Sequence, residues 1–308
     1  MMNKIVLMGE CMIELIQSGN SINKQGFAGD VYNTAVYLKR LFPECTTKML
    51  TAVGSDSMSE QMISVFKQEN LNTDHYPIEN KQPGIYLVQT DEYGERSFLY
   101  WRESAAARQV VKSLTPEVVS SLCENDVFFF SGISLAVITP EDRDDFWEAL
   151  STMRAAGVKI AFDLNYRPKL WASEQEAQTQ FTLAFESADI LVPGVDDFAQ
   201  LFKIDTVEGV KEYFTRFTFD ELIIKNGEKS VICITQDEEC EVAITPVKNV
   251  VDTTSAGDSF NGAYLGARMT GTTISDAVTL AAEVAGFVIQ HPGAIVPEAL
   301  FNKRFNLN

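Results

Sequence analysis

Val251-Asp252-Thr253-Thr254-Ser255-Ala256-Gly257-Asp258-Ser259-Phe260-Asn261-Gly262 leads a run of small residues, Ser255, Ala256 and Gly257, into an amphipathic segment at 258–268. Small side chains let a phosphate come close to the backbone. The first amides of a helix have no intrahelical acceptor, and the positive end of the helix dipole adds to their pull on an anion. Asp258 falls in the first turn, where the ionised form of a carboxylate is stabilised. It is placed to take a proton from a hydroxyl held beside the phosphate. Ser255, Ala256, Gly257 and Asp258 are therefore read as an anion hole and a base built into one turn. An ordinary helix cap uses the same residue types, and a lone Gly-Asp pair would be read as one. The full string exceeds what a cap requires.

On either side of this stretch the chain alternates. Lys4–Met8 reads as a buried strand ending at Gly9. Residues 27–42 begin with the loop Ala28-Gly29-Asp30 and continue with helical spacing through Ala35, Leu38 and Phe42. Residues 48–53 read as a strand and 61–67 as a helix. After residue 110, short apolar strands at 126–131, 160–164, 190–192 and 222–225 alternate with helical segments such as 144–156. That alternation predicts an α/β fold, a parallel sheet covered by helices on both faces. Residues 84–102 break the pattern. GIYLVQT and ERSFLYW are aromatic and β-branched runs around Asp91-Glu92-Tyr93-Gly94, a hairpin signal. If Glu92-Tyr93-Gly94 is the loop, Asp91 faces Glu95, Tyr86 lies opposite Tyr100 and Gly84 opposite Arg102. Tyr86, Tyr100 and Arg102 then share one face. A four-residue loop would move Tyr86 to the other face; the first register is preferred. The hairpin and a strand at 10–17 read as a small β lid on a single domain spanning 1–308.

The formal net charge is −18 over 308 residues. Such a surface repels nucleic acid and anionic membrane. An anionic ligand would need basic residues at specific places. Five cysteines, Cys11, Cys45, Cys123, Cys233 and Cys240, form no CxxC pair, and the histidines number 2. A zinc site or a disulfide framework is not expected, and a reducing, cytoplasmic compartment is. Met1 to Leu15 reads as a first strand rather than a signal peptide. No apolar run is long enough to span a membrane.

The 251–262 string resembles the second signature of the ribokinase-like carbohydrate kinases, the PfkB family, whose form is D-T-x-G-A-G-D. Ser255 stands where that signature's first glycine is usual. Phe27-Ala28-Gly29-Asp30-Val31-Tyr32-Asn33-Thr34-Ala35, with Val53-Gly54-Ser55-Asp56 downstream, is similar to the family's first, sugar-binding signature. The matches run nearly the whole chain in the family's order. The resemblance implies a doubly wound, mostly parallel sheet flanked by helices with a β lid, and ligands at the carboxyl edge of the strands, as in open α/β sheets generally. It implies ATP and Mg2+, and sugar contacts at Gly29, Asp30 and Asn33. Asn165 and Arg167 follow the strand at 160–164. Lys225-Asn226-Gly227-Glu228-Lys229-Ser230 resembles the family's nucleotide loop; taken alone, Asn-Gly between strands is equally a tight turn. The nucleotide contacts so implied are Asn165, Arg167, Lys225, Gly227, Lys229, Ser230, Ser255 and Gly257. The family's Asn-x-x-Glu motif is Gly194-Val195-Asp196-Asp197 here, which leaves the magnesium contacts open. A monovalent cation such as K+ near Asp252 and Thr254 is known in relatives.

Within the family, Pro83-Gly84-Ile85-Tyr86, Tyr100-Trp101-Arg102, Asn165-Tyr166-Arg167-Pro168 and Gly9-Glu10-Cys11-Met12-Ile13-Glu14-Leu15 resemble the 2-keto-3-deoxygluconate kinases. A sugar acid carries a carboxylate, which arginine reads with paired hydrogen bonds. Arg102 on the lid and Arg167 on the sheet edge would supply the missing local positive charge, and Tyr86 and Tyr100 would donate hydroxyls. Trp101 is read as burying the lid sheet. Two other readings stand beside this one: a kinase for fructose or another neutral sugar, and a non-catalytic sugar sensor on a kinase scaffold. Unpaired lid strands point to a homo-oligomer through the lid.

Overall fold

Val127–Ser131, VFFFS, is buried at every position, as a strand covered on both faces must be. In the computed structural model, which describes residues 3–18, 21–90 and 96–307, this strand lies within a sheet built largely of such runs. The strands in chain order are β1 (Lys4–Met8), β2 (Met12–Ser18), β3 (Ser21–Ala28), β4 (Thr46–Val53), β5 (Asn72–Pro77), β6 (Ile85–Thr90) and β7 (Arg96–Trp101). Then come β8 (Val127–Ser131), β9 (Lys159–Asp163), β10 (Ile190–Leu191), β11 (Glu221–Asn226), β12 (Ser230–Ile234) and β13 (Glu239–Ala243). The large sheet runs β13-β12-β11-β10-β9-β8-β1-β4-β5. Its pairings are parallel except the two made by β12.

Alternation within β1 feeds both sides of the sheet. Ile5 and Leu7 join one apolar cluster, with Tyr32, Phe66 and Tyr264. Val6 and Met8 join another, with Phe128, Phe130, Phe146 and Phe162. Successive strand residues point to opposite faces, so a helix layer on each side follows from the run KIVLM. The chain leaves β1 towards β4 on one side and returns to β8 on the other, so the order reverses between β1 and β8. That is where an open α/β sheet opens a crevice at its carboxyl edge.

The smaller sheet runs β3-β2-β6-β7. β2–β3 and β6–β7 are antiparallel, and β2–β6 is parallel. Tyr86 pairs with Tyr100 and Thr90 with Arg96, the register of the three-residue loop; the Asp91–Glu95 pairing itself lies outside the described residues. β3 was not anticipated. Its sequence SINKQGFA is polar and mostly exposed, with no alternation to mark a strand. β5, β12 and β13 also extend the sheet beyond the strands expected. Among the described residues no helix is long and apolar enough to cross a membrane.

The Ala256–Met269 helix lies against the Asp30–Leu41 helix at very short range. A Cβ on Gly262 would fall 2.5 Å from the Thr34 carbonyl oxygen and 2.9 Å from the Leu38 nitrogen. The missing side chain brings the two backbones together, and with them Asn33 and Asp258.

Candidate active site

Ser255 is the N-cap of the Ala256–Met269 helix and adopts a left-handed conformation, φ 65°. L-residues other than glycine, asparagine and aspartate rarely do so. Its hydroxyl is buried and has no partner among the described residues. The Ala256 amide bonds to the Thr253 carbonyl at 3.2 Å. Helix geometry leaves the amides of Gly257 and Asp258 without intrahelical acceptors. A Cβ on Gly257 would meet only the Lys225 ammonium, at 3.8 Å. Free amides and an ammonium thus border a space that a side chain would fill. Those groups suit a phosphate.

Asp258 Oδ2 accepts a hydrogen bond from Asn33 Nδ2 at 2.9 Å. Removal from water pushes its pKa up to about 7; the Asp30 and Asp163 charges add to this, while the Asn33 hydrogen bond and Arg167 oppose it. Asp30 Oδ2 accepts from Ser131 Oγ at 2.5 Å and from Asn165 Nδ2 at 3.0 Å, and burial raises its pKa as well. A carboxylate titrating near neutrality is suited to general-base work. Gly29 caps the Asp30–Leu41 helix; a Cβ there would lie 2.2 Å from the Glu10 carbonyl oxygen. Its role on view is close approach to the β1–β2 bend. Asn165 was assigned to the nucleotide, but its amide is turned to Asp30, on the side of the sugar signature.

The lid supplies the opposite wall. Tyr86 is buried and donates to Glu14 Oε1 at 2.5 Å; burial and the Glu14 charge raise its pKa. Its proton is therefore already given, and a ligand would meet its oxygen as an acceptor. The ring of Tyr100 stacks on Tyr86 with centroids 5.9 Å apart. Tyr100 is 48% exposed, and its hydroxyl has no hydrogen-bond partner among the described residues. Arg102 is buried against Glu10, its Nη2 bonded to Glu10 Oε2. Glu10 Oε1 is buried without a partner among the described residues. Arg102 thus carries its own counter-ion, which sequence reasoning missed. Arg167 is 54% exposed in its side chain, bonded to its neighbour's carbonyl at 2.8 Å and 3.7 Å from Asp197. Both arginines lie close enough to Tyr100 to lower its pKa against the rise caused by burial. Trp101 does not bury the lid sheet: it is 54% exposed, on the face away from Tyr86.

Of the expected nucleotide loop, Lys225 is the residue with a contact to the site. Gly227 and Lys229 lie in the exposed β11–β12 turn, with Gly227 at φ 57°. Ser230 is buried within β12. The tight-turn reading and the Lys225 contact hold together. Lys225 Nζ reaches Asp163 Oδ1 at 3.0 Å and Asn261 Oδ1 at 3.4 Å. Asp197 Oδ1 accepts the Tyr166 amide at 3.1 Å; desolvation and the Asp163 charge push its pKa up to about 6. Asp252 accepts the Thr254 amide at 3.1 Å and the Gly293 amide at 2.6 Å. Sequence reasoning missed Asp163, Ser131, Glu14 and Asn261. The signal for Asp163 is an acid ending a buried strand, Lys-Ile-Ala-Phe-Asp.

The sequence matches the family described as pfkB family carbohydrate kinase over residues 2–299. It is 39% identical over 307 residues to the 2-dehydro-3-deoxygluconokinase of Escherichia coli K12, covering 96% of this chain and 98% of that one. It is 38% identical over 301 residues to the Haemophilus influenzae protein of the same name, covering 96% of both chains. The fold is similar to that of a PfkB protein from Polaromonas sp. JS666, with a TM-score of 0.84 at 22% identity over 98% of this chain and 99% of that one. With a match running nearly end to end around the turn at Asp258, the chain belongs to the pfkB family of carbohydrate kinases.

Proposed function

We propose that this ATP-dependent carbohydrate kinase phosphorylates the 6-hydroxyl of 2-keto-3-deoxygluconate, giving 2-keto-3-deoxy-6-phosphogluconate. The observation that carries the choice of a sugar acid is the approach of two arginines, Arg102 from the lid and Arg167 from the sheet edge, to Tyr100. Arg167 also lies within electrostatic reach of Asp258. A carboxylate bound between the arginines leaves the far end of the sugar to reach the base. The relatives named 2-dehydro-3-deoxygluconokinase support the same substrate.

In this reading the ATP phosphates lie on the Gly257 and Asp258 amides beside Lys225. The sugar lies between lid and sheet, near Gly29, Asp30 and Asn33. Asn33 fixes the Asp258 carboxylate, and Asp258 takes the hydroxyl proton as the oxygen attacks the γ-phosphorus. Magnesium arriving with the nucleotide would neutralise charge on the phosphates. Magnesium bound with a nucleotide usually keeps several waters and takes one or two protein carboxylates besides the phosphates. Asp197, with its raised pKa, is the carboxylate whose ionisation such a cation favours. A monovalent cation near Asp252 and Thr254, a cytoplasmic location and a single unit spanning 1–308 complete the reading; five free thiols support the location.

The Glu10 counter-ion on Arg102 favours a second reading, a neutral sugar, because it spends part of the positive charge within the lid. ADP release measured over a panel of neutral sugars and sugar acids, in potassium and in sodium salts, separates the two. Fastest turnover with 2-keto-3-deoxygluconate supports the proposal. Preference for fructose would overturn it, and no turnover with any sugar would point to a sensor.

A further inference from the structure

We infer that Asp163 is a positioning residue: it holds the Lys225 ammonium against the Ser255–Asp258 turn, with Asn261 as the second point of attachment. The inference rests on the reading of that turn as the phosphate site.

Asp163 ends β9, and Lys225 is on β11. The strand between them, β10, is only 2 residues long, and the backbone that follows it bonds to the Phe162 carbonyl and the Lys225 amide, while the Asp163 and Lys225 side chains meet across it. Asp163 is 3% exposed. Its Oδ1 accepts from Lys225 Nζ at 3.0 Å and its Oδ2 from Asn261 Nδ2 at 2.7 Å. Asn261 is one turn past Asp258 on the same helix, so i, i+3 spacing turns both side chains to the same side. The Asn261 amide completes a triangle: its nitrogen donates to Asp163, and its oxygen lies 3.4 Å from Lys225 Nζ. Three elements, β9, β11 and the Ala256–Met269 helix, therefore meet at one ammonium.

A lysine on its own is poorly suited to aim a charge, because its stem is flexible. An ammonium has three protons to give. The Asp163 and Asn261 contacts account for two of them, and the remaining side of the ammonium faces Gly257, 3.8 Å from where a Cβ would stand. That is the space assigned to phosphate. A buried carboxylate needs a partner in any case, so a simple strut is the rival explanation. A strut would stabilise the fold without acting through Lys225 in catalysis.

A double-mutant cycle separates the two. Asp163→Asn keeps the shape and, with its amide oxygen turned to Asn261, that contact, but it loses the charge and puts an NH2 donor where Lys225 had an acceptor. It is expected to lower kcat/KM for ATP by about 10- to 150-fold, the range for losing one charged hydrogen bond, and to leave KM for the sugar near its wild-type value. In a Lys225→Met background the same change is expected to have almost no further effect on ATP kinetics. Should Asp163→Asn fail to fold in a thermal melt, Asn261→Ala is measured in both backgrounds, with a smaller ATP-specific loss that again disappears without Lys225. Additive losses, or normal ATP kinetics in these variants, overturn the inference. If Lys225→Met itself turns over ATP like the wild type, the phosphate reading has failed instead, and the two failures are told apart.

Discussion

Asp258 is held in the cleft by a neutral amide and surrounded by other acids, and this sets both its chemistry and its cost. Asp258→Asn is expected to lower kcat by about 10²- to 10⁴-fold, the usual loss for a general base, with ATP binding unchanged in a direct titration. Near-normal turnover would remove Asp258 from the mechanism. With the pKa up to about 7, kcat in the wild type should fall as pH drops through 7. Its stability has the opposite dependence. Between the ordinary carboxylate range and 7 the folded protein binds more protons at this group than the unfolded chain, so this contribution to stability is present in acid and is lost as pH rises through 7. The asparagine variant should therefore melt higher than the wild type at pH 8, and the gap should shrink at pH 5. A constant gap would show that Asp258 is not desolvated. Ser255 carries a second local cost, a left-handed conformation with an unpartnered buried hydroxyl. Ser255→Gly should keep activity and raise stability by about 1 kcal/mol, the scale of the left-handed penalty; a lower melting temperature would refute that account. Both residues were visible in the sequence as members of one string. The left-handed backbone of Ser255 and the raised pKa of Asp258 were not, because the first is a dihedral angle that the residue types do not reveal and the second comes from burial, with the Asp30 and Asp163 charges added, which only the fold supplies.

At the scale of elements, two contacts decide whether the site is assembled. The first is the approach of the Ala256–Met269 and Asp30–Leu41 helices at Gly262. A methyl there would stand 2.5 Å from the Thr34 carbonyl oxygen, and overpacking of this kind costs about 1–3 kcal/mol. Gly262→Ala should lower the melting temperature and, by moving Asn33 off Asp258, lower kcat more than either KM. A stability loss with unchanged kcat would show that the helices separate without disturbing the base. The second contact is that of Arg102, just after β7, with Glu10 in the β1–β2 bend. Arg102→Ala should reduce kcat/KM for the sugar acid by about 10- to 150-fold and affect a neutral analogue much less. An unchanged ratio would leave Arg102 as the partner of Glu10 alone. The hairpin register was legible as a preference, because Glu92-Tyr93-Gly94 reads as a three-residue loop, and the described pairs Tyr86–Tyr100 and Thr90–Arg96 agree with it. β3 was not legible, since an exposed edge strand with polar residues carries no alternation. Nor was the Glu10–Arg102 pair, which joins residues 92 positions apart in sequence.

For the whole molecule, the lid raises the question of assembly. β7 is an edge strand, and it exposes Phe98, Leu99, Tyr100 and Trp101 at 37%, 46%, 48% and 54%. These alternate across the sheet, so Phe98 and Tyr100 share the face of Tyr86 while Leu99 and Trp101 occupy the other. An open edge with apolar side chains on both faces is an association surface unless something covers it. The inner face is the side proposed for the sugar; among the described residues, Leu99 and Trp101 on the outer face stay exposed. We expect a second copy of the chain, joined through the lids. Each copy carries a formal charge of −18, so association works against a long-range repulsion that salt screens. Two consequences can be checked by sedimentation. The dimer should tighten as ionic strength rises, the reverse of an interface held by ion pairs. Leu99→Glu, which places a charge on the outer face and leaves Tyr86, Tyr100 and Arg102 in place, should yield monomer at concentrations where the wild type is dimeric. A wild-type chain that stays monomeric at high salt and high concentration would mean that the outer face is covered by neither a second lid nor this protein's own surface.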